Sequence, residues 1–209
     1  ESLTIHSGSA ISATGTGYPG ANGSIATFVP GSNAYDGYGP VAGTAPASGG
    51  GKNGRCSGSG YYYGGGGGAG AGAAGGKGGS TNGGAGGTAI PVTSTAPDKP
   101  GGGGGGFTES CTANGAAGGG TIKIKVASLA MDGNIYADGA SGGYATYQYS
   151  HWKNGAGGGG AGSIWVEAGA ISGAGFFQAK GGNGGPGGGG LAAGGGEIGR
   201  AHVWTPVTI

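Results

Sequence analysis

The stretch GGGTIKIKVASLAMDGNIYADGASGG, Gly118 to Gly143, decides how this chain is read. After the opening glycines, Ile122, Ile124 and Val126 alternate with Thr121, Lys123 and Lys125, the period-two pattern of a half-buried strand. A second copy, Ser163-Ile164-Trp165-Val166-Glu167-Ala168, follows the next glycine run, with inward face Ile164, Val166 and Ala168 and with Trp165 as the exception to alternation. Glu197-Ile198 opens a third copy. A different pattern, apolar-x-Ala-x-Gly, recurs at Ile11 to Gly15, Ile135 to Gly139 and Phe177 to Gly181. Short links, Leu129 to Gly133 and Ile171 to Gly175, lead from the first strand of a unit to its second. Self-similarity of this kind marks a stacked architecture. One unit reads glycine run, strand, turn, strand, glycine run. Complete units occupy 120–143 and 162–190. Residues 1–17 supply mainly a second half, and 196–209 supply a first half.

Working outward, 65 of the 209 residues are glycine, against an average of roughly 7%. Only 25 residues are Leu, Ile, Val or Phe. A core of packed helices is excluded, because glycine inside a helix costs about 1 kcal/mol relative to alanine. Collagen is excluded too, since only 9 residues are proline and runs such as Gly101 to Gly106 break any three-residue period. The net charge of +1, with 8% charged residues, leaves no basic face for nucleic acid. No apolar run reaches the roughly 18 residues of a membrane span. Disorder is the compositional competitor, and the ordered repeat argues against it.

The glycine runs need partners of their own. An extended helix of three residues per turn rises about 3.1 Å per residue, so six residues span roughly 19 Å, the length of a typical strand. Such a helix makes no internal hydrogen bonds, and its buried N–H and C=O groups must pair laterally. Glycine runs without side chains approach closely enough to do this, as in the polyglycine II form. Candidate runs are Gly64 to Gly79, Gly101 to Gly106, Gly155 to Gly162 and Gly184 to Gly196. The expected fold is therefore all-β, with short strands in repeated strand-turn-strand units, β-solenoid or sandwich-like, packed polyglycine-II-type helices and almost no α-helix. Residues 18–119 form a Gly-, Pro- and Tyr-rich insertion with too few apolar residues for a core of its own. They are expected to lie on the same single body, 1–209, as loops and glycine helices.

The elements GTGYPG at Gly15 to Gly20, the quoted stretch 118–143, and GSIWVEAGAISGAGFFQAKGGNGGPGGGG at Gly162 to Gly190 resemble glycine-rich modules of large bacterial and other microbial surface proteins. The resemblance covers most of the chain apart from about Gly31 to Pro100, and the chain departs from the family pattern at Glu197 to Trp204, where Gly199 breaks the closing strand. A weaker likeness, through stacked glycine runs and Tyr-rich loops, is to the glycine-rich tail-fibre tip adhesins of T-even-like phages. The resemblance implies an extracytoplasmic structural or adhesive module, with no catalytic residues to carry over.

Motifs for chemistry are accidents of composition. Gly139-Ala140-Ser141-Gly142-Gly143 matches a nucleophile elbow but lacks the strand-to-helix setting. None of the dinucleotide-type glycine patterns precedes a helix, and Gly76-Lys77-Gly78 fails the phosphate-loop pattern. His6, His151 and His202 lack zinc spacing. No catalytic residue, metal ligand or cofactor is nominated, and the chain reads as a non-enzyme. Cys56 and Cys111, in a chain read as secreted, form one disulfide closing about 55 residues, worth roughly 4 kcal/mol in the chain-entropy model; metal binding and free thiols are the alternatives. The opening at Glu1, with no Met, is consistent with signal-peptide removal. Asn22-Gly23-Ser24 is a glycosylation sequon.

Aromatic residues cluster at Tyr61, Tyr62 and Tyr63, and at Tyr144, Tyr147, Tyr149 and Trp152. Such rings serve recognition of glycans or partner proteins, or they lie on the glycine layers in place of a core; both readings stand. The tail, with Val203, Trp204, Val207 and Ile209, is apolar and β-prone, and suits a docking strand, with Pro206 limiting it to an edge. It either pairs with Leu3 to Gly15 of the same chain or completes that half-unit in the next subunit, and the intermolecular form is favoured. The expected function is an extracellular, self-assembling filament or surface-matrix subunit. A cell-surface or phage-tip adhesin is the alternative, and an ice-binding protein the second alternative.

Overall fold

The computed structural model describes residues 1–21, 50–51, 54–56, 67–69, 73–78, 84–90, 98–109, 113–146, 153–186 and 200–204. Among these residues no helix forms. The strands are β1 Ser2–Ile5, β2 Ala10–Ser12, β3 Gly54–Cys56, β4 Phe107–Glu109, β5 Thr121–Met131, β6 Asn134–Tyr136, β7 Tyr144–Thr146, β8 Lys153–Gly155, β9 Ser163–Ser172, β10 Phe177–Gln178 and β11 Arg200–Trp204.

The two complete units stack directly. β5 lies parallel to β9 from Thr121 opposite Ser163 to Ala130 opposite Ser172, and β6 lies parallel to β10 with Ile135 opposite Phe177. The offset of 42 residues is the same in both sheets, and it recurs in the side-chain bonds between units. β1 and β11 extend the first sheet to the order β1-β5-β9-β11, and β2 extends the second to β10-β6-β2, all parallel. The three apolar-x-Ala-x-Gly copies thus sit side by side, with Ile11, Ile135 and Phe177 in one row.

One apolar cluster joins the inward faces of both sheets: Ile122, Ile124, Ile164, Val166 and Ala168 from the first, Ile135, Ala137 and Ala179 from the second. Leu129, Ile135, Ile164 and Val166 are the largest fully buried side chains, each stabilising the fold by about 1.5–3 kcal/mol through burial. The expected inward faces are thus inward, although Val126 is only half-buried.

Two sequence expectations need correction. Leu129 to Gly133 is not merely a link, because β5 runs on to Met131, and Leu129 and Met131 are buried. β9 likewise continues through Ile171 to Ser172 and turns at Gly173, whose φ of 102° suits glycine. The strands change face midway. Before Ala127 the buried residues are even-numbered, and after it they are odd. The ladder omits the Ala127–Gly169 pair at the same level. The register between the two strands is the same on both sides of this level, so both change face together, and a period-two reading ends where the strand continues. The third strand copy is also displaced. Ser163 lies opposite Arg200 and Ile164 opposite Ala201, so Ala201, not Ile198, holds the position of Ile122 and Ile164. The uninterrupted β-forming run begins only after Gly199.

The glycine-rich segments bond laterally at every third residue. Ala156, Gly159 and Gly162 donate N–H to the carbonyls of Gly143, Ala140 and Ala137 at 2.8, 3.0 and 2.7 Å. Gly157 and Gly160 donate instead to Gly105 and Gly102, while Ala156 and Gly159 accept from Gly185 and Gly182. Ala116 and Gly119 donate to Gly157 and Gly160, and Ala69 to Gly158. One segment therefore serves several neighbours in turn, and its backbone groups find partners across the layer rather than within the segment. The described parts of 18–119 take part, with Tyr18 and Ala21 donating to Gly101 and Gly104. Within the same stretch β3 pairs with β4, Gly54 opposite Phe107.

Candidate functional site

The sheet leaves two unlike edges. Each neighbour of the long strands β5 and β9 on the outer side is about half their length. β1 covers only Ser128 to Met131 of β5, and β11 covers only Ser163 to Glu167 of β9. The remaining halves, Thr121 to Lys125 and Ala170 to Ser172, pair with no outer strand among the described residues. β1 and β11 are separated by β5 and β9, so Arg200 to Trp204 does not pair with β1 of its own chain. Val203 and Trp204 lie opposite Val166 and Glu167 of β9 on one side, which leaves their outer edge for any further strand. Val207 and Ile209 lie outside the described residues.

Chemistry along the edges is mild. Lys125 and Glu167, paired in the ladder, form a 2.9 Å ion pair whose lysine is largely exposed. A cleft of ≈ 350 Å³ lies where both strands change face, lined by Glu1, Lys125, Val126, Ala127, Glu167 and Gly169, among others. The Thr121 hydroxyl is buried on the uncovered half of β5 without a partner among the described residues. Its counterpart Ser163 donates to the Lys99 carbonyl at 2.8 Å.

Other polar side chains tie one unit to the next. Asp132 accepts from the Ala174 N–H and Asn134 from the Phe176 N–H. Asp138 accepts from the Lys180 N–H at 2.8 Å and from the Gln178 amide at 2.6 Å. Asp132, Asn134 and Asp138 thus hold one unit to the next. Ser141 of the apparent elbow is exposed in a segment outside the regular strands. Among the described residues no three His, Cys, Asp or Glu side chains converge.

Of the aromatic candidates, Tyr144 is placed. It opens the antiparallel pair β7–β8, with Tyr144 opposite Gly155 and Thr146 opposite Lys153, and it is half exposed. The hairpin brings both ends of the aromatic stretch together, while Tyr147, Tyr149 and Trp152 fall outside the described residues, as do Tyr61, Tyr62 and Tyr63. Asn22 and Cys111 also lie outside them, so the sequon and the disulfide partner of Cys56 are not placed; Cys56 itself sits in β3. Sequence reading missed Phe176, which is 48% exposed and packs edge-on against Tyr136, centroids 5.7 Å apart. The Phe176-Phe177 pair was its available signal, since neighbouring strand residues face opposite sides.

No family model, curated protein or solved structure matches this chain.

Proposed function

We propose that the protein is a non-enzymatic extracellular structural subunit that assembles with copies of itself into a filament or surface matrix. The observation that carries this reading is the pair of half-covered edges at opposite sides of one parallel sheet. Open ladders are templates for further strands, and proteins cover them or use them. Among the described residues of one chain each edge is covered over only half its length; between identical chains each has a partner.

In this reading β1, β5, β9 and β11 with β2, β6 and β10 make a short parallel β-solenoid. The glycine segments are polyglycine II helices packed against it. Their three-residue hydrogen-bond period supports that form, as does their close approach: a methyl group on Gly159 would overlap the Ala117 carbonyl. The bonds from Tyr18, Ala21 and Ala69 support one body that includes the insertion. The two cysteines, low charge and resemblance to microbial surface modules support an extracellular location.

Electron microscopy of the concentrated, purified chain tests the reading. Filaments or sheets of uniform width are expected. A chain that stays monomeric at high concentration by sedimentation refutes it. Adhesion through the Tyr/Trp stretch is the second reading, favoured by the exposure of Tyr144 at the base of the β7–β8 hairpin.

A further inference from the structure

We infer that β11 of one copy and β1 of the next lie end to end as a single composite rung, joining the copies in one register at three rungs per copy. This rests on the filament reading above and specifies its contact.

The two short strands are complementary in position as well as length. β1 runs beside the second half of β5, and β11 beside the first half of β9. Edge to edge with an equally oriented second copy, they do not collide. β11 occupies the first half of the level between β9 of one copy and β5 of the next, and β1 of that next copy occupies the second half. The Glu1 carbonyl accepts the Ala127 N–H at 2.9 Å, which sets where β1 enters. Trp204, the last residue of β11, reaches the level of Glu167 and hence of Lys125. Pro206, two residues on, cannot donate to a ladder, which suits a rung that passes to β1 at that level. The ≈ 350 Å³ cleft lies at this level.

Register follows from ladders already present. Arg200 lies opposite Ser163, and Ser163 opposite Thr121. Repeating that stacking places Ala201 beside Ile122 and Val203 beside Ile124 of the next copy. Ala201 and Val203 then stand between Ile164 and Ile122 and between Val166 and Ile124, apolar on both sides. On the other half, Ser2, Leu3 and Thr4 of the next copy fall beside Ala170, Ile171 and Ser172. The buried Thr121 hydroxyl gains Arg200 as its neighbour across the junction.

The core supports the same arrangement. Its partly buried members include Leu3 and Ile11 at the β1/β2 end and Ile171 and Phe177 at the β9/β10 end. Stacking places Leu3 on Ile171 and Ile11 on Phe177, so the apolar cluster continues from copy to copy. Both sheets then advance equally. The first contributes β5, β9 and one composite strand per copy, and the second contributes β2, β6 and β10. At about 4.8 Å per strand spacing, three rungs give an axial repeat of roughly 14 Å per copy.

Two measurements on assembled full-length protein test this. Helical reconstruction of unmodified filaments should give a rise near 14 Å per subunit, with strand separations running along the axis. The Thr4→Cys and Ser172→Cys double variant, oxidised after assembly, should yield a ladder of covalent oligomers. Mixing the two single variants should give covalent dimers only, and the parent chain neither product. Filaments with another rise, or assembled double variant that does not cross-link, overturn the composite rung and leave the filament reading intact. A parent chain that never assembles overturns both.

Discussion

Within the glycine segments, alanine and glycine are not interchangeable. Ala156 and Ala161 are completely or almost completely buried, so their methyl groups fill space the packing provides. At Gly159 a methyl group would strike the Ala117 carbonyl, and at Gly104 that of Gly157. Backbone cannot yield as a flexible side chain does, and overpacking of this kind costs about 1–3 kcal/mol or more. Gly159→Ala is therefore expected to lower stability by at least that range. Ala161→Gly should cost only about 1 kcal/mol, the worth of one buried methyl with glycine's added chain freedom. Leu129→Ala, in the shared core, should cost about 2–5 kcal/mol. Chemical denaturation of the three variants checks the order; a harmless Gly159→Ala would show that close backbone packing is not what demands glycine there. Neighbouring glycines in a run look identical in sequence, and only the segment facing each one decides whether a methyl fits.

At the scale of elements, the alternation of Ile122, Ile124 and Val126 located a strand but not its end. At Ala127 and Gly169 β5 and β9 change face together with their register unbroken, and a period-two reading stops at such a point. β3, β4, β7 and β8 each have only three residues, too short for periodicity to register; their pairing rests on which segments the fold brings together. The β7–β8 pair joins the two ends of the stretch that contains Tyr147 and Trp152. If adhesion is its role, Tyr147→Ala with Trp152→Ala should abolish binding on glycan arrays or cell surfaces while the melting temperature holds. Melting that falls in step with binding would make the rings a substitute core instead.

For the whole molecule, the half-units at the two ends acquire their meaning only from sheet order. Strand β11 lies on its own β9 and contributes one half of the proposed junction. Deleting Ala201 to Ile209 should leave soluble chains that do not assemble, because β9 loses its outer cover and the composite rung loses half its length. Sedimentation velocity, with circular dichroism to show that the strands persist, measures this. Filaments formed by the truncated chain would remove β11 from the assembly contact. Near-zero helical signal is expected for both chains, since no helix forms among the described residues.

Local pattern was enough to determine an all-β fold, the alternating faces at the start of β5 and β9, and the recurrence of apolar-x-Ala-x-Gly. These are properties of neighbouring residues, set by side-chain alternation and by what glycine does to helices. Strand order, the parallel register and the lateral bonds of the glycine segments were decided only in three dimensions. Each depends on which distant backbone group meets a given N–H, and a run of glycines carries no side chain to specify that choice. The fate of the tail belongs to the same class. The tail from Ala201 read as a strand either for Leu3 to Gly15 or, the favoured form, for another copy, whereas the sheet sets Ala201 to Trp204 beside Ile164 to Glu167 of β9.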